Sequence, residues 1–446
     1  MSRVQLAIIG GGLVGASLAL ALQAGARARG WRILLVEPFA PGNDYQPSYD
    51  ARSSALSQGS RLIFERLGVW PQLAERAEAI TQIQVSDQGR FGATRLSAAD
   101  EGVPALGYVL ENAWMGHCLW KALDPAVVEW RCPAEVTRLE ALGDGYRLHL
   151  NDDTSLDCDL AVLADGGRSG LREQLGIAVR HTPYDQCALI ANVTPAEPHG
   201  GQAFERFTEQ GPLALLPLSD NRCALVWTRP PVDAERLHQL PERAFLGELQ
   251  QAFGYRLGSL RQVGARHLYP LALVEAREQV RPHLVLLGNA AHSLHPVAGQ
   301  GFNLSLRDAQ TLAECRRQRG QHLFAGAGGG LLVQVLQQVA GVLRGIGNIL
   351  LVAQVDVVTR RRLKAVGRPI QRIAGISRAY RQRITRCANG TVVGQQLDTL
   401  TLYVRTSAGA DHVAVGFERH VHDTGTTDGS DTEIAGHLTQ VHIAAR

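Results

Sequence analysis

Residues 5–37 read QLAIIGGGLVGASLALALQAGARARGWRILLVE, and this stretch decides the fold class. Gln5 to Ile9 is a short apolar run that stops at glycines, the pattern of a buried parallel strand. Leu13 to Arg27 is rich in Ala and Leu and predicts a helix, and Arg32 to Glu37 predicts a second strand. A strand, a helix and a strand in this order form a β-α-β unit, which predicts an α/β sheet. Within it stands Gly10-x-Gly12-x-x-Gly15, with Glu37 following 22 residues after Gly15. Glycine at 10 permits the tight turn, glycine at 12 lets the backbone approach a pyrophosphate, and glycine at 15 lets helix and strand close up. The helix start then offers free N–H groups to phosphates, and a carboxylate at Glu37 suits ribose hydroxyls. The glycines alone are a weak signal. In this strand-turn-helix-strand-acid setting they are a strong one for a dinucleotide, without separating FAD from NAD.

Working outward, Asp159 to Ala164 and Leu284 to Leu287 read as further buried strands, each running into a turn. The first ends in Ala164-Asp165-Gly166-Gly167-Arg168-Ser169, which taken alone is an ordinary turn. The second runs into Gly288-Asn289-Ala290-Ala291-His292 and then Leu294-His295-Pro296-Val297-Ala298-Gly299-Gln300-Gly301-Phe302-Asn303. Loops at the carboxyl ends of parallel strands are where open α/β sheets bind ligands. Gly299 and Gly301 leave room for a flat ring, and the helix that follows aims its positive end at it. Between about Arg180 and Leu273 the character changes. Ala188 to Val193, Ala214 to Pro217 and Arg222 to Thr228 predict strands separated by turn residues, and hence a mostly antiparallel inserted domain.

The totals exclude several classes. The chain has 446 residues, too many for one small domain, and 45% hydrophobic residues suffice for a sizeable core. A formal net charge of +3 gives no case for nucleic acid. The 7 cysteines form no C-x-x-C pair, which argues against a disulfide framework or zinc site and fits a reducing cytosol. The N-terminus does not read as a secretory signal, and no run reaches the ~18 apolar residues of a spanning helix. The nearest, Val335 to Val358, is interrupted by Arg344, Asn348 and several glutamines. His292 and His295 lie three apart, but no third ligand is spaced to join them, so no metal site is expected.

Together these motifs resemble the class A flavoprotein aromatic hydroxylases, with the fold of para-hydroxybenzoate hydroxylase. Within that family, GNAAHSLHPVAGQGFNLSLRD (288–308), DARSSALS (50–57), YDQCALIANV (184–193) and AFERFTEQGPLALLPLSDNRCALVW (203–227) are similar to the ubiquinone-biosynthesis branch acting on 2-polyprenyl-6-methoxyphenol. The resemblance covers about residues 3 to 314. It implies an FAD-binding Rossmann-like domain of the GR2 type in two parts, 1–179 and 274–315, around a substrate-binding β domain at 180–273. It places Gly10, Gly12, Gly15 and Glu37 on the ADP half of FAD, Arg52 beside the flavin, and Asp165 near the pyrophosphate and ribose. It places the Gly288-Asn289 turn at the ribityl chain, with Asn289 where the wider family has aspartate. Pro296, Gly299, Gln300, Gly301 and Asn303 fall against the isoalloxazine. NAD(P)H is implied as a transient donor, O2 as the oxidant and a polyprenylated phenol as the substrate. The substrate phenol needs activation, and the sequence names no base for it. A peripheral place at the inner face of the membrane, and a multiprotein assembly, also follow from the resemblance alone. Two readings from other classes remain: an FAD oxidoreductase such as a prenyl reductase, and a non-catalytic flavoprotein subunit of such an assembly.

The tail, 316–446, is atypical. All 6 tryptophans, and all but one of the 19 prolines, precede residue 316, while Arg360 to Arg386 holds ten basic residues and no acidic one. The resemblance stops within a helix at Cys315-Arg316-Arg317. A divergent tail that uses its basic stretch on an acidic membrane explains the charge. A change of reading frame near residue 315 explains composition and lost resemblance at once.

Overall fold

The computed structural model describes residues 3–39, 52–296 and 299–319, and the backbone of three strands further on. The elements that position the site begin with β1 (Leu6–Ile9), α1 (Leu13–Arg29) and β2 (Ile33–Val36). Next come β3 (Ser53–Ser57), α2 (Gln58–Arg66), β4 (Gln82–Asp87), β5 (Ala93–Ser97), β6 (Gly107–Glu111), α3 (Asn112–Lys121), β7 (Val128–Arg131) and β8 (Ala161–Leu163). The long strand β9 (Val179–Pro195) opens a run of β10 (Gln202–Thr208), β11 (Gly211–Leu218), β12 (Arg222–Arg229), α4 (Pro231–Gln239), α5 (Glu242–Phe253) and β13 (His267–Ala276). The chain then returns through β14 (Val280–Arg281), β15 (Leu284–Leu286) and β16 (His292–Ser293) to α6 (Gln300–Arg319).

The first sheet has the order β14-β15-β8-β1-β2-β7, parallel except for β14. β1, β2, β8 and β15 are buried at every residue, because helices or loops cover both faces. On one face Leu18 and Leu22 of α1 meet Ala309, Leu312 and Ala313 of α6 in a single apolar cluster with Ile8 and Val285. So α1 and α6 pack side by side over strands far apart in sequence.

The second sheet runs β16-β13-β9-β12-β11-β10-β4-β5. It is antiparallel apart from the β10–β4 pairing. The sequence reading confines it to 180–273. The structure adds the β4–β5 hairpin from well before that stretch, and β16 from after it. The hairpin's pattern is weak, with Ile83 and Val85 only half buried at the sheet edge, so it carries little hydrophobic signal. One face of this sheet is sealed by α4 and α5, where Leu189, Leu213, Leu215, Leu225 and Trp227 pack on Leu237, Phe245 and Leu249. The other face looks toward the first sheet's domain. There the buried pair Arg222–Glu111, at 2.8 Å, ties β12 to β6. Removing either partner would break a buried pair, typically a cost of about 3–5 kcal/mol.

The chain divides into two units, 1–338 and 339–446. In the second, β17 (Thr399–Thr406), β18 (His412–His420) and β19 (Thr439–Ala444) form an antiparallel sheet, with Thr399 opposite His420 and Val413 opposite Ile443. The expectations for Val335–Val358 and the basic run 360–386 fall outside the described residues, while Cys315 and Arg316 lie within α6. Among those described, no helix is long and apolar enough to cross a membrane.

Candidate functional site

The site assembles where three strand-end turns meet. β1 ends at Gly10, whose φ is +105°, and a Cβ there would lie 2.5 Å from the carbonyl oxygen of Ala164 at the end of β8. No side chain fits, so Gly10 lets the first and second turns abut. A Cβ on Gly15 would stand 1.9 Å from the Gly10 carbonyl oxygen, so α1 closes on β1 only with glycine there. Gly12 differs. It is the residue before α1, no side chain caps the helix, and a Cβ there would meet no atom within 4 Å. An uncapped helix start that faces open space retains donors for an anion, which fits the pyrophosphate of a dinucleotide.

Glu37 follows β2 and accepts hydrogen bonds from the backbone N–H groups of Gly11 at 2.7 Å and Phe39 at 3.2 Å. Its carboxylate is therefore fixed beside the glycine turn. Two tryptophans brace the same turn and escaped the sequence reading. Trp120 donates its indole N–H to the Gly11 carbonyl at 2.7 Å, and Trp130 lies so close that a Cβ on Gly11 would reach its ring at 2.7 Å. No local motif marks them, since each comes from a separate element that only the folded sheet brings in.

Asp165 spends its carboxylate on its own turn. It accepts from the backbone N–H groups of Gly167 and Ser169, both at 3.0 Å, and from the Ser169 hydroxyl. The turn it holds sits against Gly10, whose Cβ position is 2.8 Å from the Asp165 Cα. Asp165 thus shapes the wall of the dinucleotide turn.

In the third turn Gly288 adopts φ +61° and packs on Val14 of α1, while Asn289 is exposed. Gly299 donates to the Pro296 carbonyl at 2.8 Å and takes φ +59°, and Gln300 starts α6. A Cβ on Gly301 would meet nothing within 4 Å, so space lies open beside the first turn of this helix. Val297 and Ala298 lie outside the described residues. Asn303 departs from expectation. It is 1% exposed and cannot lie against a ring. Its amide nitrogen donates to the carbonyls of Ala55 and Gly299, both at 2.8 Å. Its oxygen accepts from the Ser57 N–H at 2.9 Å and the Ser60 hydroxyl at 2.7 Å. The Asn303 side chain therefore fastens β3 and α2 to the glycine loop.

Arg52 enters from the start of β3 and stacks over the Tyr269 ring of β13 at 5.7 Å. Tyr269 belongs to the face of the second sheet that α4 and α5 leave uncovered. Across that face run Ile190, Val226 and Ala214, then Glu205 and Val85, each opposite the next in register. All five are half buried, unlike their neighbours under the helices. Glu205 is the acid in this apolar row, and burial pushes its carboxyl up to about 7. His292 and His295 take separate partners: Asp308 at 3.2 Å for the first, Gln186 at 3.3 Å for the second.

Comparison with known proteins agrees with this geometry. The family described as FAD binding domain matches residues 3–315. Ubiquinone hydroxylase UbiL of Rhodospirillum rubrum is 36% identical over 355 residues, 79% of this chain and 80% of that one. The 3-demethoxyubiquinol 3-hydroxylase of Escherichia coli is 33% identical, over 70% of this chain and 78% of that one. The human ubiquinone biosynthesis monooxygenase COQ6 is 30% identical, over 69% of this chain and 75% of that one. PqsL of Pseudomonas aeruginosa shares the fold, with a TM-score of 0.63, 22% identity, and 78% and 94% of the two chains covered. So does p-nitrophenol 4-monooxygenase PnpA of Pseudomonas putida, with a TM-score of 0.56, 18% identity and 72% and 81% covered. The UbiL match takes in more of the chain than residues 3–315 span, so likeness to that relative continues past the point where the sequence reading ends it. The chain belongs to the FAD-dependent aromatic monooxygenases, in the group that holds the ubiquinone-biosynthesis hydroxylases.

Proposed function

We propose that this hydroxylase acts on the ring of a polyprenylated methoxyphenol in ubiquinone biosynthesis, with NAD(P)H and O2 as co-substrates. The observation that carries the reading is the half-buried apolar row Ile190–Val226–Ala214 with Val85 beyond it. It faces the FAD-binding domain, and it suits an aliphatic tail laid across a sheet, at roughly 0.8 kcal/mol for each buried CH2.

Bound FAD supplies hydride acceptance from NAD(P)H and activation of dioxygen. The chain's own residues do the rest. The uncapped start of α1 with Gly12 would hold the pyrophosphate, and Glu37 would hold the ribose. Gly299 and Gly301 would leave the ring its space, and the N-terminus of α6 would favour negative charge on it. Arg52, held over Tyr269, sets a cation at the edge of the same space. The sheet face and the glycine loop would flank the substrate ring and limit the access of water to it. A substrate of this kind partitions into bilayers, so the reading includes delivery from a membrane surface or by partner proteins.

The test is NADPH-dependent oxygen uptake with 2-geranyl-6-methoxyphenol, with and without liposomes, and product analysis for one added ring oxygen. Complementation of a ubiquinone-deficient strain, with identification of the precursor that accumulates, tests the biological substrate. Bound FAD with no uptake on any phenol would favour the non-catalytic reading, and reduction of a prenyl double bond would favour the reductase.

A further inference from the structure

The apolar row across the second sheet holds one acid, Glu205 of β10. Its neighbours along the strand both turn to the side that α4 and α5 seal. The Phe204 ring meets Phe253 of α5 at 5.3 Å between centroids, and Arg206 Nε donates to the Ala252 carbonyl at 2.8 Å. Successive side chains of a strand point to opposite faces, so Glu205 projects from the other face, toward the FAD-binding domain. Ala203 and Phe207 share that face with it. Ala203 is buried in one cluster with Val109 of β6, while Phe207 is 38% exposed. The cover that β6 gives the sheet therefore ends along this strand, and Glu205 stands at its margin. There Val85, Ala214, Val226 and Ile190 flank it in register, each half buried. Half-buried side chains keep part of their surface open, so the row and its acid line a space that a ligand can enter.

Among the described residues no hydrogen bond or ion pair reaches the Glu205 carboxylate. Burial is the cause that pushes it up to about 7, and no neighbouring charge adds to the rise. The charged and titratable groups around it are engaged elsewhere. β11 carries none. On β4, Asp87 pairs with Arg90 at 2.9 Å. On β12, Arg222 pairs with Glu111 of β6 at 2.8 Å, and Tyr108 of β6 packs on Trp70. His267 of β13 ends the row opposite Ile190. An acid buried without a partner destabilises the fold that carries it, and such groups mark functional sites. A 2-polyprenyl-6-methoxyphenol is complementary to this row. It has a long apolar body and a single hydrogen-bond donor, the phenolic O–H.

We infer that Glu205 is the base for the substrate's hydroxyl group, its carboxylate taking the phenolic proton as the ring is hydroxylated. This rests on the hydroxylase reading above and adds the proton acceptor that the sequence does not name. The O–H bond breaks with its electron pair left on the ring oxygen, and the proton moves to a Glu205 oxygen, so the total charge is unchanged. The electron-rich ring then receives the oxygen atom that the monooxygenase reaction takes from O2. As the ring regains aromaticity, the proton returns from Glu205 to the ring oxygen, and the displaced ring hydrogen leaves to water as a proton. A base whose proton affinity lies near the working pH is both free to accept and strong enough to do so.

The FAD-loaded enzyme is assayed with 2-geranyl-6-methoxyphenol, NADPH and O2 from about pH 5.5 to 8.5, with hydroxylated product and H2O2 measured separately. In wild type, kcat/KM for product should fall as pH drops through about 7. Glu205→Gln should lose that limb and form product about a hundredfold more slowly. It should still retain FAD, bind the phenol as judged by flavin absorbance, and pass electrons on to H2O2. Glu205→Asp, which keeps a carboxyl on a shorter arm, should recover part of the rate with the limb displaced. Wild-type product formation by Glu205→Gln would overturn the assignment. So would a lowered rate with the pH limb unchanged, the mark of a merely structural role. If Glu205→Gln does not fold, a flat wild-type profile, or an unchanged profile in Glu205→Asp, overturns it instead. Hydroxylation by a wild type with no such limb rejects the Glu205 role alone, whereas no added ring oxygen on any phenol rejects the hydroxylase reading with it.

Discussion

Asn303 donates a hydrogen bond to the carbonyl oxygen of Ala55 at 2.8 Å, across 248 residues of sequence. Together with its bonds to Gly299, Ser57 and Ser60, this uses every donor and acceptor site of the amide that geometry allows at one residue. The glycine loop at 299–301 is therefore held from beneath by a buried side chain.

Replacing Asn303 by Asp should break that clamp. A carboxylate accepts only, so the bonds to two carbonyl oxygens become repulsions in a buried place. The expected cost is about 3 kcal/mol, and with it a loss of retained FAD. Chemical unfolding and flavin content measure both. Wild-type values for each would show that the clamp does not hold the loop.

The two helix-entry glycines should respond in opposite ways. Gly15→Ala drives a methyl into the Gly10 carbonyl, 1.9 Å away, and should destabilise even the flavin-free protein by more than about 3 kcal/mol. A Cβ on Gly12 would meet no protein atom within 4 Å, so the Gly12→Val apoprotein should melt close to wild type while FAD retention is lost. Thermal unfolding of apoprotein beside flavin content separates the effects. FAD retention by Gly12→Val would show that the pyrophosphate lies elsewhere.

Glu205 should make stability depend on pH in an unusual direction. Burial raises its folded pKa to about 7 from the ordinary 4.5, so between those limits the folded state binds more protons than the unfolded one. Stability from this group is present below pH 4.5 and is lost as pH rises through about 7. Glu205→Gln should thus stabilise the protein by up to about 3 kcal/mol at pH 8 and leave it unchanged near pH 4. Urea unfolding at both pH values checks this, and an equal effect at the two would contradict it.

The reading frame is open to a direct test. Loss of tryptophan and nearly all proline after Cys315 predicts that another frame downstream of that codon encodes a family-like helical segment. The UbiL match that continues past residue 315 weighs against a break at that codon. Translating the gene in the other two frames decides between them, and finding no helical, family-like segment would reject the frame change.

By itself the sequence determined four strands of the first sheet, β1, β2, β8 and β15, and the dinucleotide turn, because these rest on local patterns. Buried strands of three or four residues leave unbroken apolar runs, and Gly10, Gly12, Gly15 and Glu37 stand at spacings that a strand-turn-helix-strand unit must keep. Only the tertiary structure decided what each glycine is for, since Gly12 faces open space while Gly10 and Gly15 face backbone. It also moved Asn303 from the ring to a buried clamp, brought Trp120 and Trp130 under Gly11, and set His295 against Gln186, 109 residues away. The physical reason is common to all of these. Hydrogen bonds and van der Waals contacts act over a few ångströms, and which residues come that close is set by how strands stack and helices pack, not by their order along the chain.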